Sequence, residues 1–174
     1  MPEYTADLNP VVRALFRAPV RLYDHGLGRL LGRRFLCLTH IGRKSGHRYR
    51  TVLEVIGLTH DEVTVIAGLG PSSDWFRNLQ AGSTAGVQLG RARFVAEHRV
   101  LGRAEGAAAI ADYERRHRLV RPVLRRVLTE LLGWRYDGSR TARDQLVRQL
   151  PLVALRPSRL PVCGEDTRGK LRKC

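Results

Sequence analysis

The chain has 174 residues, a formal net charge of +15, and a hydrophobic fraction of 43%. This length fits one domain with a proper core, and the apolar content argues against a wholly disordered chain. No apolar run approaches the ~20 residues that a membrane-spanning helix requires, and no apolar segment typical of a signal peptide follows the acidic N-terminus. The three cysteines, Cys37, Cys163 and Cys174, are odd in number and far apart. This spacing predicts neither a disulfide framework nor a zinc site, so we expect a cytoplasmic protein.

The strong positive charge predicts an anionic partner, which is a nucleic acid, an acidic membrane surface or a small polyanion. Part of the charge excess reflects a composition in which Arg outnumbers Lys. The six His residues show no paired spacing, so we expect no protein-bound metal. Charge alone says nothing about the fold.

Residues 1–34 form a predicted N-terminal helical segment. Asn9 followed by Pro10 is typical of a helix start, and Val12, Leu15 and Phe16 recur at helical spacing. Such a basic amphipathic segment either covers the sheet behind it or lies on an anionic membrane. The sequence is compatible with both alternatives.

The middle of the chain has the pattern of antiparallel strands. Residues 35–38 and 52–56 are apolar runs joined by a turn with glycines, which predicts a β-hairpin. A strand over 62–67 follows, and then Asp74 as the N-cap of a short helix over 75–80. Residues 84–89 and 92–101 predict a second hairpin about Gly90.

The last third is predicted to be helical. Helices are expected over 104–119, from Pro122 to Leu132, and from a cap at Ser139 to Leu150, followed by a strand over 152–155. Residues 158–174 are basic and polar, and we expect them to be a disordered tail. The prediction is one domain over 1–157.

The turn of the first hairpin carries an unusual concentration of anion-binding groups. It combines bidentate guanidinium donors, a lysine, a hydroxyl and flexible glycine amides, in Arg43, Lys44, Arg48, Arg50, Ser45, Gly42 and Gly46. Arg48 and Arg50 share one strand face, because side chains alternate along a strand. We interpret the turn as a cradle for a phosphate or carboxylate. The alternative is a solvated basic turn.

Three blocks of the sequence, over residues 38–51, 65–70 and 74–79, resemble the deazaflavin-dependent nitroreductase family in their order and spacing. The resemblance implies an α+β fold, an antiparallel split β-barrel of the FMN-binding, flavin-reductase type with N- and C-terminal helices. It also implies an oxidoreductase that transfers a hydride from reduced coenzyme F420, an anionic deazaflavin, to a hydrophobic quinone-like or nitroaromatic acceptor. FMN or haem remains the alternative ligand, and a homodimer is left open.

The resemblance also implies roles for individual residues. The coenzyme phosphate and acidic tail would be held by Arg43, Lys44, Ser45, Arg48 and Arg50, with Thr51 beside them. Free amides at Ala67, Gly68 and Leu69 would approach the phosphate or ring, and Trp75 and Asn78 would flank the tail. The alternatives are a core anchor for Trp75 and a helix cap for Asn78.

The acceptor side rests on Trp134 and Tyr136. A phenol at Tyr136 would be the catalytic group that hydrogen-bonds a carbonyl or nitro oxygen, with Trp134 lining the substrate pocket. The alternative for Tyr136 is a side chain packed at a helix end.

The charge is also compatible with two further functions. A nucleic-acid-binding module is disfavoured because aromatic residues make up only 6% of the chain, and single-strand binders usually supply stacking platforms. A peripheral position on the inner face of the membrane is compatible with the reductase hypothesis.

Overall fold

The computed structural model describes residues 33–158, which form a closed β-barrel with helices packed against its outside. The predicted N-terminal helix and the basic tail lie outside the described residues, apart from the edges of each segment.

Six strands build the barrel. They are β1 (Phe35–Ile41), β2 (Arg48–Leu58), β3 (Val63–Ile66), β4 (Ala85–Leu89), β5 (Ala92–Val100) and β6 (Leu152–Pro157). Their order around the barrel is β1-β2-β3-β6-β5-β4, closed by pairing of β4 with β1, and every pair is antiparallel. The predicted α+β split barrel is therefore confirmed.

Four α-helices, with two short 3₁₀ helices at Gly70–Ser72 and Arg118–Val120, complete the described chain. They are α1 (Asp74–Gln80), α2 (Arg103–Arg116), α3 (Arg121–Leu132) and α4 (Arg140–Gln149). Ser139 caps α4 as predicted, since its side chain accepts a hydrogen bond from the Ala142 amide. The prediction for α1 was wrong by one residue. Ser73 is the N-cap, with a non-helical backbone, and Asp74 is the first helical residue.

The apolar residues form two clusters, one on each side of the barrel wall. The first fills the barrel and includes Leu36, Leu38 and Val65, which are fully buried, with α1 contributing Phe76 and Leu79. The second lies between the barrel and the helical layer and is centred on side chains of α2, α3 and α4. The helix α1 is thus anchored in the barrel core and forms a fixed wall next to the β1–β2 turn.

No helix in residues 33–158 combines the length and apolar character needed to cross a bilayer. Within the same residues, no group of three or more His, Cys, Asp or Glu side chains is arranged to hold a metal ion. Cys37 is a free, buried thiol.

Candidate anion-binding site

The β1–β2 turn is tightly closed by its own backbone. The Gly42 amide donates to the His47 carbonyl and the Gly46 amide donates to the Gly42 carbonyl, both at 2.8 Å. These amides are therefore engaged within the turn, and the prediction that they serve an anion was wrong. Gly46 has a φ of 67°, and a Cβ at Gly42 would lie 2.5 Å from Ser45 Oγ. Both positions need glycine for the turn geometry.

Ser45 also braces the turn. Its hydroxyl lies 3.1 Å from the Tyr49 hydroxyl and accepts a hydrogen bond from the His47 amide at 3.3 Å. Within the part of the chain described, no protein acceptor faces the amides of Lys44 and Ser45. These two amides are the ones that an anion could bind at the tip of the turn.

Arg43 is oriented by two residues of α1. Its backbone amide and its Nη1 both donate to Asn78 Oδ1, at 3.1 and 2.9 Å, and Nη1 also contacts Asp74 Oδ1 at 3.0 Å. Asn78 is 3% exposed. It therefore joins the turn to the helix, which is more than the helix cap considered from the sequence.

His40 lies behind this contact, on the core-facing side of β1. Its Nδ1 is 3.0 Å from Asn78 Nδ2 and its Nε2 is 3.4 Å from Thr51 Oγ1. The imidazole stacks on the Tyr49 ring with centroids 5.9 Å apart. Burial lowers the pKa of His40 below its ordinary value of 6.5, and the charge of Asp74 partly opposes this effect. Sequence reasoning missed His40, although its alternation with Leu36 and Leu38 places it on the buried face.

An open groove of about 600 Å³ lies between the turn and α1. Three cationic side chains line it, Arg43, Lys44 and Arg77, and the remaining lining residues are Pro71, Phe76, Gln80 and Ala81. Arg77 was not predicted as a site residue. Its position three residues after Asp74 on the same helix is the signal that could have found it, since residues at that spacing are neighbours on one helix surface.

Arg48 and Arg50 lie on the other face of the hairpin. They alternate along β2 with Tyr49 and Thr51, which face His40. Arg50 Nε contacts the Cys37 sulfur at 3.4 Å on that opposite face. The structure therefore brings Arg43, Lys44, Ser45, Thr51 and Asn78 together at one end of the barrel. It places the two strand arginines across the sheet from them.

Two of the three predicted free amides after β3, those of Ala67 and Gly68, are already engaged. The Ala67 amide donates to the Pro151 carbonyl at 2.9 Å, and the Gly68 amide donates to the Ile66 carbonyl at 3.1 Å. The loop instead forms the edge of a second groove of about 460 Å³, lined by Gly68, Leu69, Gly70, Pro71, Leu131, Leu132, Arg148, Gln149 and Leu150. Pro71 lines both grooves, so the two are adjacent.

Trp75 is in the barrel core. It is 6% exposed and packs edge-to-face against Phe76 with centroids 5.9 Å apart. This is the position of a core anchor, the alternative role that the sequence allows for Trp75.

Trp134 and Tyr136 lie in the helical layer, away from the basic groove. The Trp134 indole donates to Gln149 Oε1 at 2.7 Å, which places it beside the second groove. Tyr136 is 2% exposed and donates its hydroxyl to Glu114 Oε1 at 2.8 Å. Glu114 also receives two hydrogen bonds from Arg143. Burial and the neighbouring Glu114 carboxylate raise the pKa of Tyr136.

A closed antiparallel barrel with helices on its outside defines the class of small split-barrel proteins. Residues 15–123 of the 174 match the F420H(2)-dependent quinone reductase family. The chain therefore belongs to this family, which confirms the resemblance read from its three sequence blocks. No curated protein matches the chain.

Several solved structures are similar to this chain. The protein Atu2129 of unknown function from Agrobacterium tumefaciens is 19% identical over 74% of this chain and 50% of its own length, with a TM-score of 0.49. The chain thus spans half the length of that protein. An F420-H2 dependent reductase, FDR-A, is 21% identical over 72% and 96% of the two chains, with a TM-score of 0.42. The conserved hypothetical protein Rv2991 from Mycobacterium tuberculosis is 14% identical over 78% and 80%, with a TM-score of 0.47.

Proposed function

We propose that this protein is an oxidoreductase that transfers a hydride from reduced coenzyme F420 to a quinone-like or nitroaromatic acceptor. The observation that carries the proposal is the groove lined by Arg43, Lys44 and Arg77 at the end of the barrel, in a chain whose family is defined by this coenzyme. Three convergent cations on fixed elements suit an anionic ligand with a phosphate and an acidic tail.

The residues of the groove fit such a ligand. Nη1 of Arg43 is held by Asp74 and Asn78, while its Nε and Nη2 have no protein acceptor in the described chain. A guanidinium fixed on one edge and open on the other loses little freedom when it binds. Lys44 is exposed and has no ion pair with any residue of 33–158.

Arg48, Arg50, Ser45 and Thr51 enter the proposal in two ways. Ser45 and Thr51 support the site from within, through Tyr49 and His40. Arg48 and Arg50 would act on the far face of the hairpin, where their charge adds to the field that attracts a polyanion. Arg48 and Arg50 could contact the ligand directly only if the ligand extended around the turn to their face of the hairpin.

The adjacent apolar groove is the proposed acceptor site. When bound, the reduced deazaflavin supplies the hydride. Leu69, Leu131, Leu132 and Leu150 offer an apolar surface for an aromatic ring, and Arg148 and Gln149 could donate hydrogen bonds to its oxygen atoms. Pro71 lines both grooves, so this surface is adjacent to the groove proposed for the coenzyme. Trp134 would act here by orienting Gln149.

A catalytic role for Tyr136 requires its hydroxyl to leave Glu114. In the structure this hydroxyl serves a buried carboxylate, which argues for the packed tyrosine considered from the sequence. We retain proton or hydrogen-bond donation by Tyr136 as the second hypothesis for this residue.

The test is a titration of the purified protein with F420, beside FMN and haem. Lys44→Ala should weaken F420 binding roughly tenfold or more, because hydrogen bonds to charged groups contribute about 1.5–3 kcal/mol. Arg93→Ala, which removes an exposed arginine on β5, is the matched control and should leave the affinity unchanged. Equal affinity of wild type and Lys44→Ala would reject the groove as the binding site. Binding of FMN or haem in place of F420 would be compatible with the fold but would reject hydride transfer from F420.

A further inference from the structure

The contact between His40, Asn78 and Arg43 fixes more than the positions of three side chains. Arg43 presents only donors to Asn78, its backbone N–H and its guanidinium N–H. The atom of the Asn78 amide that faces Arg43 must therefore be the oxygen. It follows that the amide nitrogen, a donor, faces His40.

This orientation in turn determines the protonation of His40. Asn78 Nδ2 donates to His40 Nδ1 across 3.0 Å, so Nδ1 must be an unprotonated acceptor. The ring proton is then on Nε2, where Thr51 Oγ1 at 3.4 Å can accept it. The chain of donors and acceptors is consistent only with a neutral ring.

The surroundings of His40 act on this equilibrium from three elements. Tyr49 and Thr51 of β2 stack on or accept from the ring, without charge. Asp74 of α1 is the acidic neighbour that favours the protonated form, and burial of the ring opposes it. Arg43, beyond the Asn78 amide, is a cation that also disfavours a second positive charge.

We propose that His40 is a positioning residue, whose neutral ring orients the Asn78 amide that holds Arg43, and whose protonation releases Arg43 from Asn78 and weakens anion binding. An imidazolium carries N–H groups at both nitrogens. Its Nδ1–H would face the Asn78 NH₂ group. Rotation of the amide to accept from His40 would turn the same NH₂ group towards Arg43, and both hydrogen bonds to Arg43 would be lost.

The link between His40 and Arg43 stands on this geometry alone, whereas its effect on F420 affinity rests on the proposed function. The first experiment therefore uses the ligand-free protein. Nitrogen NMR of the His40 ring should show the Nε2–H tautomer at neutral pH. The Arg43 backbone amide and the Asn78 side-chain amide should then shift with the same midpoint as His40, below 6.5. An Nδ1–H tautomer, or an Arg43 amide that does not respond when His40 titrates, would overturn the proposal.

The second experiment measures F420 affinity against pH. Wild-type affinity should be constant above 6.5 and fall as His40 becomes protonated below that value. His40→Asn keeps an acceptor at the Nδ1 position and does not titrate, so it should bind like wild type at pH above neutral and lose the acid-induced decrease. His40→Leu removes the acceptor, so its affinity should be about fivefold below that of wild type at neutral pH, for the loss of about one hydrogen bond, and should not change further in acid.

The control is His60→Asn. His60 lies in the β2–β3 turn with a side chain that is 99% exposed, so its variant should keep the wild-type pH profile. A wild-type profile in His40→Asn, or unchanged affinity in His40→Leu, would contradict the proposal. If wild type binds no F420 at any pH, the proposed function fails, while the NMR experiment still decides the role of His40.

Discussion

The hydrogen-bond partner of the Tyr136 hydroxyl decides whether this residue can act in catalysis. Tyr136 and Tyr113 form a natural pair for comparison, because each is a buried phenol that donates to a carboxylate. Tyr136 donates to Glu114 at 2.8 Å and Tyr113 donates to Glu54 at 2.5 Å. Burial is the first cause of the raised pKa of both phenols. Only Tyr136 was a candidate for catalysis.

Tyr136→Phe should destabilise the fold by about 1–3 kcal/mol, because Glu114 loses one donor in a buried environment. Tyr113→Phe should lower the free energy of unfolding similarly. If Tyr136 is structural, both folded variants should keep the wild-type kcat with a quinone acceptor. A kcat that falls only in Tyr136→Phe, with the affinity for F420 unchanged, would restore the catalytic assignment.

The same residues show how far sequence reasoning reaches. The shared face of Arg48 and Arg50 followed from the period of a strand, and the structure confirms it. The contact of Asn78 with Arg43 and His40 could not be predicted from such a local pattern. It joins residues 35 and 38 positions apart and depends on how α1 is seated in the barrel. Glycine amides were assigned to a ligand because the sequence cannot show that the turn already uses them.

At the scale of elements, hairpins were predictable and helix packing was not. Apolar runs in the first hairpin, alternating residues in the second, and glycine in both turns specify the hairpins locally. The contact of α2 with α4 depends instead on a close approach at Gly106. A Cβ at that position would lie 2.8 Å from Val147 Cγ1. No local sequence pattern predicts this close approach of the two helices.

Gly106→Ala should therefore destabilise the protein, although alanine is the better helix former by about 1 kcal/mol. Overpacking against Val147 is expected to outweigh that gain, since it typically costs about 1–3 kcal/mol. Adding Val147→Ala should relieve the overlap, with a coupling free energy of about 1 kcal/mol or more in a double-mutant cycle. Urea unfolding of wild type, the two single variants and the double variant measures this coupling free energy. Additive effects would show that the helices do not approach each other this closely.

At the scale of the whole molecule, the net charge of +15 is consistent with the proposed polyanionic coenzyme. Only a small part of this charge lies in the groove. The field of the remaining cations would speed the encounter with F420 and make the affinity depend on ionic strength. Apart from the positive charge, no feature of residues 33–158 supports a nucleic-acid partner. The cytoplasmic position, the contact with a membrane and the homodimer stay predictions.

The central claim is that this barrel holds reduced F420 next to an acceptor. Its most direct test is an anaerobic single-turnover experiment, in which protein loaded with reduced F420 is mixed with a menaquinone analogue or a nitroaromatic compound and F420 oxidation is followed optically. We predict oxidation that is fast only with protein and acceptor together, and that is slower in Lys44→Ala at a coenzyme concentration below saturation. Reduced F420 that binds tightly but is oxidised no faster than in buffer, with every acceptor of both classes, would contradict the account.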